Sequence, residues 1–220
     1  MIMTELIANR HDVVIGAHRL SGFLDVPENA TGLVIFAHGS GSGRHSPRNQ
    51  HVAAGLNRVG MATLLVDLLT PEEERDRRNV FDVGLLARRL REAAEWAEKV
   101  PQLGPLPLGY FGASTGAAAA IIAASMPGDR AAAIVSRGGR PDLAGAAALG
   151  GVKAPTLLIV GSLDQDVLAL NHDAKTLMKA PAELVVVPGA SHLFDEPGTL
   201  DQVIKLAARW FTSHLKGAAR

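Results

Sequence analysis

Short apolar runs alternate along this chain with longer segments in which apolar residues recur at helical spacing. An uninterrupted apolar run is typical of a strand covered on both faces, whereas spacing of three and four residues is typical of an amphipathic helix. Strands are expected at 12–16, 20–26, 33–37, 61–67, 106–111, 131–135, 156–160 and 184–187, and helices at 49–59, 83–97, 117–123, 142–149, 167–178 and 199–215. The alternation predicts an α/β fold, a doubly wound and mostly parallel sheet of about seven or eight strands with helices on both faces.

Two segments depart from this alternation. The first two strands are separated only by a short turn at 16–18, so they are expected to form an antiparallel edge. A charge run at 72–78 places Glu73 four residues before Arg77, a spacing at which opposite charges meet on one helix face. The run predicts a solvated helical turn with no chemical role.

Composition narrows the possible partners. The 220 residues suit one domain, 1–220, and the 22 basic and 22 acidic side chains balance, so neither nucleic acid nor an anionic membrane surface is indicated. The chain has no cysteine, which excludes disulfides, thiolate metal sites and a cysteine nucleophile. A small-molecule partner is therefore expected, and a homo-oligomer is compatible with the same composition.

Two stretches bear on targeting. Residues 1–7 lack the apolar core of a signal peptide, which predicts a cytoplasmic protein. Residues 100–128 carry no charge, but prolines and glycines interrupt them, so a membrane-spanning helix is not expected.

The densest local signal is Gly112-Ala113-Ser114-Thr115-Gly116, which follows an apolar run and precedes an alanine-rich helical segment. Gly-x-Ser-x-Gly between a strand and a helix is the pattern of a nucleophile elbow, in which a strained serine projects its hydroxyl over the end of the sheet. The alternative is a plain tight turn in which Ser114 caps the helix.

Further candidates follow other predicted strands. Asp164 comes just after 156–160, and His192 comes just after 184–187. Because ligands and catalytic groups gather beyond the carboxyl ends of parallel strands, Ser114, Asp164 and His192 are expected to meet there, in the chain order of a hydrolase triad. Asp166 is the alternative acid, and Asp164 could instead cap the helix that follows it.

A glycine-rich loop, His38-Gly39-Ser40-Gly41-Ser42-Gly43, follows the strand at 33–37. It lacks the Lys-Ser/Thr signature of a P-loop and the spacing of the dinucleotide fingerprint, so no phosphate-binding cofactor is indicated. The backbone N–H groups of such a loop can instead serve an oxyanion hole. His38 itself is expected to brace the loop.

These motifs together resemble the α/β-hydrolase fold, and most of all the dienelactone hydrolase-like group, over nearly the whole chain. The resemblance implies that Ser114 attacks an acyl carbon, that His192 carries its proton and that Asp164 orients the imidazole. It also implies oxyanion donors at the backbone N–H groups of Thr115 and Ser40, with Gly39 as the alternative to Ser40. Dienelactone hydrolases use a cysteine at the elbow, so the serine here does not carry their substrate over.

The remaining expectations concern the substrate. No pair of histidines has metal-ligand spacing beside a carboxylate, so neither a metal nor another cofactor is expected. The connection from 135 to 156 is too short for a helical lid, which predicts an open site suited to small esters, lactones or thioesters. Four loop arginines could grip a substrate carboxylate or could simply be solvated: Arg44, Arg48, Arg137 and Arg140.

The leading hypothesis is thus a serine hydrolase that works through an acyl-enzyme. The same triad would also serve a peptidase, a perhydrolase or an acyltransferase. A third hypothesis keeps the fold as a non-catalytic binding module, because a fold does not by itself determine function.

Overall fold

The computed structural model describes residues 10–215, so the prediction made for residues 1–7 lies outside the described residues. One eight-stranded sheet forms the centre of the molecule. Its strands are β1 (Arg10–Ile15), β2 (Leu20–Asp25), β3 (Gly32–Ala37), β4 (Met61–Val66), β5 (Leu108–Ala113), β6 (Ala131–Arg137), β7 (Thr156–Gly161) and β8 (Ala182–Val187).

The strand order across the sheet is β1-β2-β4-β3-β5-β6-β7-β8. β1 pairs with β2 and β2 with β4 in antiparallel register, whereas every pairing from β4 through β3 to β8 is parallel. The predicted antiparallel edge and the predicted mostly parallel sheet are both confirmed. All strands from β3 to β8 consequently present their carboxyl ends at one edge.

Helices connect the strands and cover both faces. They are α1 (Pro47–Asn57), α2 (Pro71–Glu74), α3 (Arg77–Phe81), α4 (Val83–Glu98), α5 (Thr115–Ser125), α6 (Gly145–Gly151), α7 (Gln165–Leu177) and α8 (Thr199–His214), with a 3₁₀ turn at Pro141–Ala144. The helix predicted at 142–149 is therefore a 3₁₀ turn followed by the short α6. Among residues 10–215, none of the helices combines the length and the apolar character that crossing a membrane requires.

Side-chain alternation along the strands divides the core into two layers. On one face, Val34 and Val135 pack with α1 and α8, whose apolar residues include Leu56 and Phe211. On the other face, residues such as Ile134 pack with α4, α5 and α7. Because β3, β5 and β7 are buried along their whole length, they contain almost no polar side chains.

The charge run at 72–78 folds differently from the expectation. α2 ends at Glu74 after a capping box at Thr70, and α3 begins after its own N-cap, Asp76. Glu73 pairs with Arg89 of α4, so the expected pair with Arg77 is wrong. The cap residues break the helix where the i,i+4 pattern needs continuity.

Candidate active site

Ser114 occupies a tight junction between β5, which ends at Ala113, and α5, which begins at Thr115. Its backbone has φ 50° and ψ −122°, a conformation that side-chain-bearing residues rarely adopt. Ser114 stands at the N-cap position, but its side chain makes no capping hydrogen bond. Helix capping therefore does not account for this strained conformation. Ser114 lies at the carboxyl edge of the sheet, directly after β5.

Two glycines make this junction possible. A Cβ atom at Gly112 would lie 2.5 Å from the Cα atom of Ala117, and one at Gly116 would overlap the carbonyl oxygens of Ala37 and His38. Both positions therefore require glycine, because the strand, the helix and the loop after β3 approach one another at backbone distance. This contact brings the glycine-rich loop against the elbow.

The structure brings Asp164 and His192 together. Asp164 Oδ2 lies 2.6 Å from His192 Nδ1, and the carboxylate is 14% exposed while the imidazole is 39% exposed. Asp164 precedes α7 but makes no side-chain cap hydrogen bond to it. Asp166 lies in the first turn of α7, and it makes no hydrogen bond to His192.

The loops that carry these two residues are tied to each other. The N–H of Gly189 donates to Ser162 Oγ at 2.8 Å, and the N–H of Leu163 donates to the carbonyl of Ala190 at 2.9 Å. Within the loop after β8, hydrogen bonds from Ser191, the residue before His192, lower the pKa of Glu196. The loops after β7 and β8 are thereby held in a fixed register.

Ser114 and His192 both adjoin the end of β6, but no hydrogen bond between their side chains is formed within the described residues. The N–H of Ser114 donates to the carbonyl of Arg137 at 3.3 Å. A Cβ atom at Gly138 would lie 3.6 Å from His192 Nδ1. Ser114 and His192 therefore flank the same strand end.

The expected oxyanion donors lie side by side. Thr115 is the first residue of α5, where a backbone N–H has no acceptor one turn earlier in the helix. The N–H of Ser40 donates to Thr115 Oγ1 at 3.0 Å, so this donor is engaged in the present structure. Gly39 also packs against the elbow, since a Cβ atom there would lie 3.0 Å from Ser114 Cβ.

The glycine-rich loop is braced by His38, as expected, and by a residue that the sequence analysis did not single out. His38 Nε2 accepts from the N–H of Leu68 at 3.1 Å, and its Nδ1 lies 3.0 Å from the carbonyl oxygen of Gly39. Asp67 accepts from the N–H of Arg44 at 2.7 Å and also pairs with its guanidinium. Asp67 follows β4 directly, so its position at a strand end was the available signal.

A cavity of about 450 Å³ opens beside this loop. Its wall includes Ser40, Ser42, Arg48, Asp67 and Leu69, whereas Ser114 and His192 do not line it. Ser40 contacts Thr115 and therefore links the cavity to the elbow.

The four candidate arginines differ in their pairing. Arg44 pairs with Asp67, and Arg140 pairs with Asp142 at 2.7 Å. Arg48 Nη1 lies 3.1 Å from Asp195 Oδ1.

Arg137 differs from the other three, since it is in no ion pair within residues 10–215. Its Nε and Nη1 atoms are buried without hydrogen-bond partners among those residues. Burial, followed by the positive charge of Arg48, lowers the pKa of Arg137 to about 10, so this guanidinium is still charged at neutral pH.

Within the described part of the chain, no group of three or more His, Asp or Glu side chains is arranged to hold a metal ion.

No protein-family model matches the chain. The dienelactone hydrolase from Anabaena variabilis is 50% identical in sequence, superposes with a TM-score of 0.90 and covers 94% of this chain and 100% of its own. A serine hydrolase without a lid from Xanthomonas campestris is 20% identical and has a TM-score of 0.77, over 96% of this chain and 98% of its own. At that identity, the second likeness shows the fold alone.

Two Mycobacterium tuberculosis relatives, which carry the provisional name phosphoribosyl transferase, are 59% identical over 205 residues. That match covers 93% of this chain but 46% of each relative, so the chain spans about half the length of those proteins. The likeness to the Anabaena protein, by contrast, runs over the full length of that protein. This chain therefore belongs to the dienelactone hydrolase family, with the α/β-hydrolase fold.

Proposed function

We propose that this protein is a serine hydrolase that cleaves small carboxylic esters, lactones or thioesters through an acyl-enzyme. The observation that carries the proposal is the strained Ser114 at the elbow, on the same sheet edge as an Asp164–His192 pair joined at 2.6 Å. A strained, projecting serine and a carboxylate-bound imidazole are the groups that acyl transfer requires.

In the proposed reaction, Ser114 Oγ attacks the carbonyl carbon and gives its proton to His192 Nε2. Asp164 accepts a hydrogen bond from His192 Nδ1–H, which leaves Nε2 free as the base and stabilises the imidazolium that forms. The imidazolium then protonates the leaving alcohol or thiol. Water, deprotonated by the same imidazole, attacks the acyl-enzyme and releases the acid with Ser114 restored.

The developing oxyanion is held by backbone donors. The N–H of Thr115 lies at the positive end of α5, an 11-residue helix whose dipole favours negative charge there. The second donor is the N–H of Ser40 or of Gly39, both on the loop that packs against the elbow.

The provisional transferase name of the curated relatives describes proteins about twice as long as this chain. We assign no phosphoribosyl transfer to this chain, because the match covers 46% of those proteins and this chain has the hydrolase fold. The triad alone does not separate hydrolysis from transfer to an amine, a peroxide or an alcohol, so product partition among these acceptors is measured alongside ester cleavage.

The first prediction concerns the nucleophile. Ser114→Ala should lower turnover of p-nitrophenyl acetate and butyrate by about 10⁴-fold or more, because no other group can form the acyl-enzyme. A fluorophosphonate probe should label the wild-type protein once and leave the variant unlabelled, as read by intact-protein mass spectrometry. Unchanged turnover in the variant would end the proposal.

A matched pair of carboxamide variants controls for the acid. Asp164→Asn should lower turnover steeply, because it removes the charge that orients His192, whereas Asp166→Asn changes a helix residue outside the pair. Equal losses in the two variants would contradict the role given to Asp164.

A further inference from the structure

β8 forms one edge of the sheet, and it is more exposed than the strands inside the sheet. β3 and β7 are buried along their whole length, whereas within β8 only Val187 is buried and Val186 is 40% exposed. Every residue of β8 except Glu183 is apolar, and the strand contains neither lysine nor proline. Natural edge strands usually avoid association by carrying such residues. β8 therefore has the composition of a strand that pairs with a further strand.

The main chain of β8 has hydrogen-bonding groups that point away from the sheet. The carbonyl oxygens of Pro181 and Val187 accept hydrogen bonds of 2.9 and 3.0 Å from β7 and from the residue that follows β7. In a parallel pair, alternate residues direct both their N–H and their C=O to the same neighbour, so the odd-numbered residues of β8 face β7. The residues whose backbone groups point outward, where no strand pairs with them among residues 10–215, are Ala182, Leu184 and Val186.

A groove between β8 and α8 runs beside this edge. It consists of two adjoining cavities of about 300 and 250 Å³, which share Val185, Leu206 and Arg209 in their walls. Glu183 lines the larger cavity together with Arg209. Glu183 and Arg209 are both exposed, and neither forms an ion pair with another residue of the range 10–215. The groove thus combines apolar walls with one acidic and one basic side chain that can pair with a partner.

We propose that β8 pairs in antiparallel register with β8 of a second copy of this chain, about a two-fold axis at Leu184. A two-fold interface brings the same edge of both copies together, and here it joins the two sheets into one. Leu184 then lies opposite the partner's Leu184, and Ala182 lies opposite the partner's Val186. The outward N–H and C=O groups of all three residues find partners in this register.

Charge and hydrogen bonding favour this register over its neighbours. Glu183 lies opposite the partner's Val185, which places its carboxylate at the cavity wall that the partner's Arg209 also lines. A shift of two residues in one direction would put Ala182 opposite Pro188, which has no N–H to donate. A shift in the other direction would put the two Glu183 side chains opposite each other, and like charges in that position are destabilising.

The pairing leaves both active-site edges open. Antiparallel strands point in opposite directions, so the carboxyl edge of one sheet continues into the amino edge of the other. The two copies of Ser114 consequently lie at opposite edges of the joined sheet. The dimer does not depend on the proposed hydrolase function, and it should form whether or not Ser114 is reactive.

Sedimentation velocity of the whole chain at about 1 to 100 μM tests the proposal. The wild-type protein should sediment as a dimer in the upper part of this range. Glu183→Lys and Arg209→Glu each bring like charges together twice in every dimer, so each should raise the dissociation constant by about 30-fold or more. Both residues are exposed, so neither reversal should unfold the chain. Arg88→Glu, a reversal at an exposed position of α4, is the matched control and should leave the dimer unchanged.

A mixture of the two variants tests the two-fold geometry. Glu183→Lys mixed one-to-one with Arg209→Glu restores opposite charges at both contacts, so the mixture should dimerise at concentrations where each variant alone is monomeric. Hydrogen exchange locates the interface. The segment 182–187 should exchange more slowly in the wild-type dimer than in Glu183→Lys at the same concentration.

Four results would overturn the proposal. The first is a wild-type protein that stays monomeric at about 100 μM. The second is a dimer that both charge reversals leave intact, since it would use another surface. The third is a mixture that stays monomeric. The fourth is equal protection of the segment 182–187 in wild type and Glu183→Lys, since another part of the same chain would then cover the edge.

Discussion

Two arginines of this protein, Arg89 and Arg137, are each 7% exposed but have opposite surroundings. Arg89, on α4, contacts the carboxylate of Glu73 and lies 3.6 Å from that of Glu92. Arg137, at the edge where the proposed triad stands, has no carboxylate within ion-pair distance among residues 10–215. The two arginines are therefore equally buried, and they differ in whether a carboxylate pairs with them. An arginine that is paired with carboxylates within the chain stabilises the fold, whereas a buried arginine without such a partner adds the cost of an uncompensated charge.

The largest change in stability is expected when Arg89 is replaced. Arg89→Met should lower the free energy of unfolding by about 2–3 kcal/mol, because it leaves the partly buried Glu73 without its cation and leaves Glu92 with His18 as its partner. Urea denaturation followed by circular dichroism measures the change. Arg88→Met, which alters an exposed neighbour on the same helix, is the matched control and should change stability by less than about 0.5 kcal/mol. Similar values for the two variants would contradict the structural role of Arg89.

Replacement of Arg137 is expected to stabilise the protein and not to destabilise it. Arg137→Met should raise the free energy of unfolding by about 1 kcal/mol, because methionine fills similar space without burying a charge that lacks partners. The same urea titration checks this, with Arg140→Met as the control. A loss of stability in Arg137→Met would show that the guanidinium has stabilising partners within the folded chain, and the contrast with Arg89 would disappear.

A smaller effect, the pH dependence of stability, is expected from Glu73 and Glu92, the carboxylates that face Arg89. Burial would raise the pKa of Glu73, but hydrogen bonds from Thr70 and Arg89 lower it overall, and hydrogen bonds from His18 likewise lower that of Glu92. A lowered pKa in the folded state stabilises the protein above the ordinary value of 4.5 and loses this contribution as the pH falls through the lowered value.

The stability gap between wild type and Arg89→Met should therefore become smaller than it is at pH 7 as the pH falls below 4.5. Unfolding free energies measured in urea across this range test the prediction. A gap that stays constant down to pH 3 would contradict it.

Much of the fold could be predicted because strands and helices have different apolar periods. β3, β4 and β7 are continuous apolar runs, and the parallel order follows from the helices between them. The sheet edge at which Ser114 and the Asp164–His192 pair lie follows from the same rule, since each residue comes after a strand of one parallel sheet. These predictions needed only local pattern and topology.

Pairing between distant elements could not be predicted in this way. Glu73 has an arginine four residues later in the sequence, but it pairs with Arg89, 16 residues away, because Thr70 and Asp76 cap two separate short helices. Arg44, Arg48, Arg137 and Arg140 were all expected in loops, but Arg48 lies in α1 and Arg137 ends β6. Only the structure shows that Arg137 is buried without an ion pair within residues 10–215, whereas the other three pair with aspartates. Which charged side chains form ion pairs depends on the distances between elements that are far apart in the sequence.

The bond from the Ser40 amide to Thr115 Oγ1 has a consequence for the energetics of the proposed reaction. A tetrahedral intermediate that recruits this amide must displace a hydroxyl acceptor of the protein, so the catalytic gain is the difference between two hydrogen bonds and not the strength of one. In the absence of substrate, the threonine hydroxyl occupies the acceptor position of this amide. An ester that brings its own acceptor to the Ser40 amide therefore competes with a side chain of the same protein.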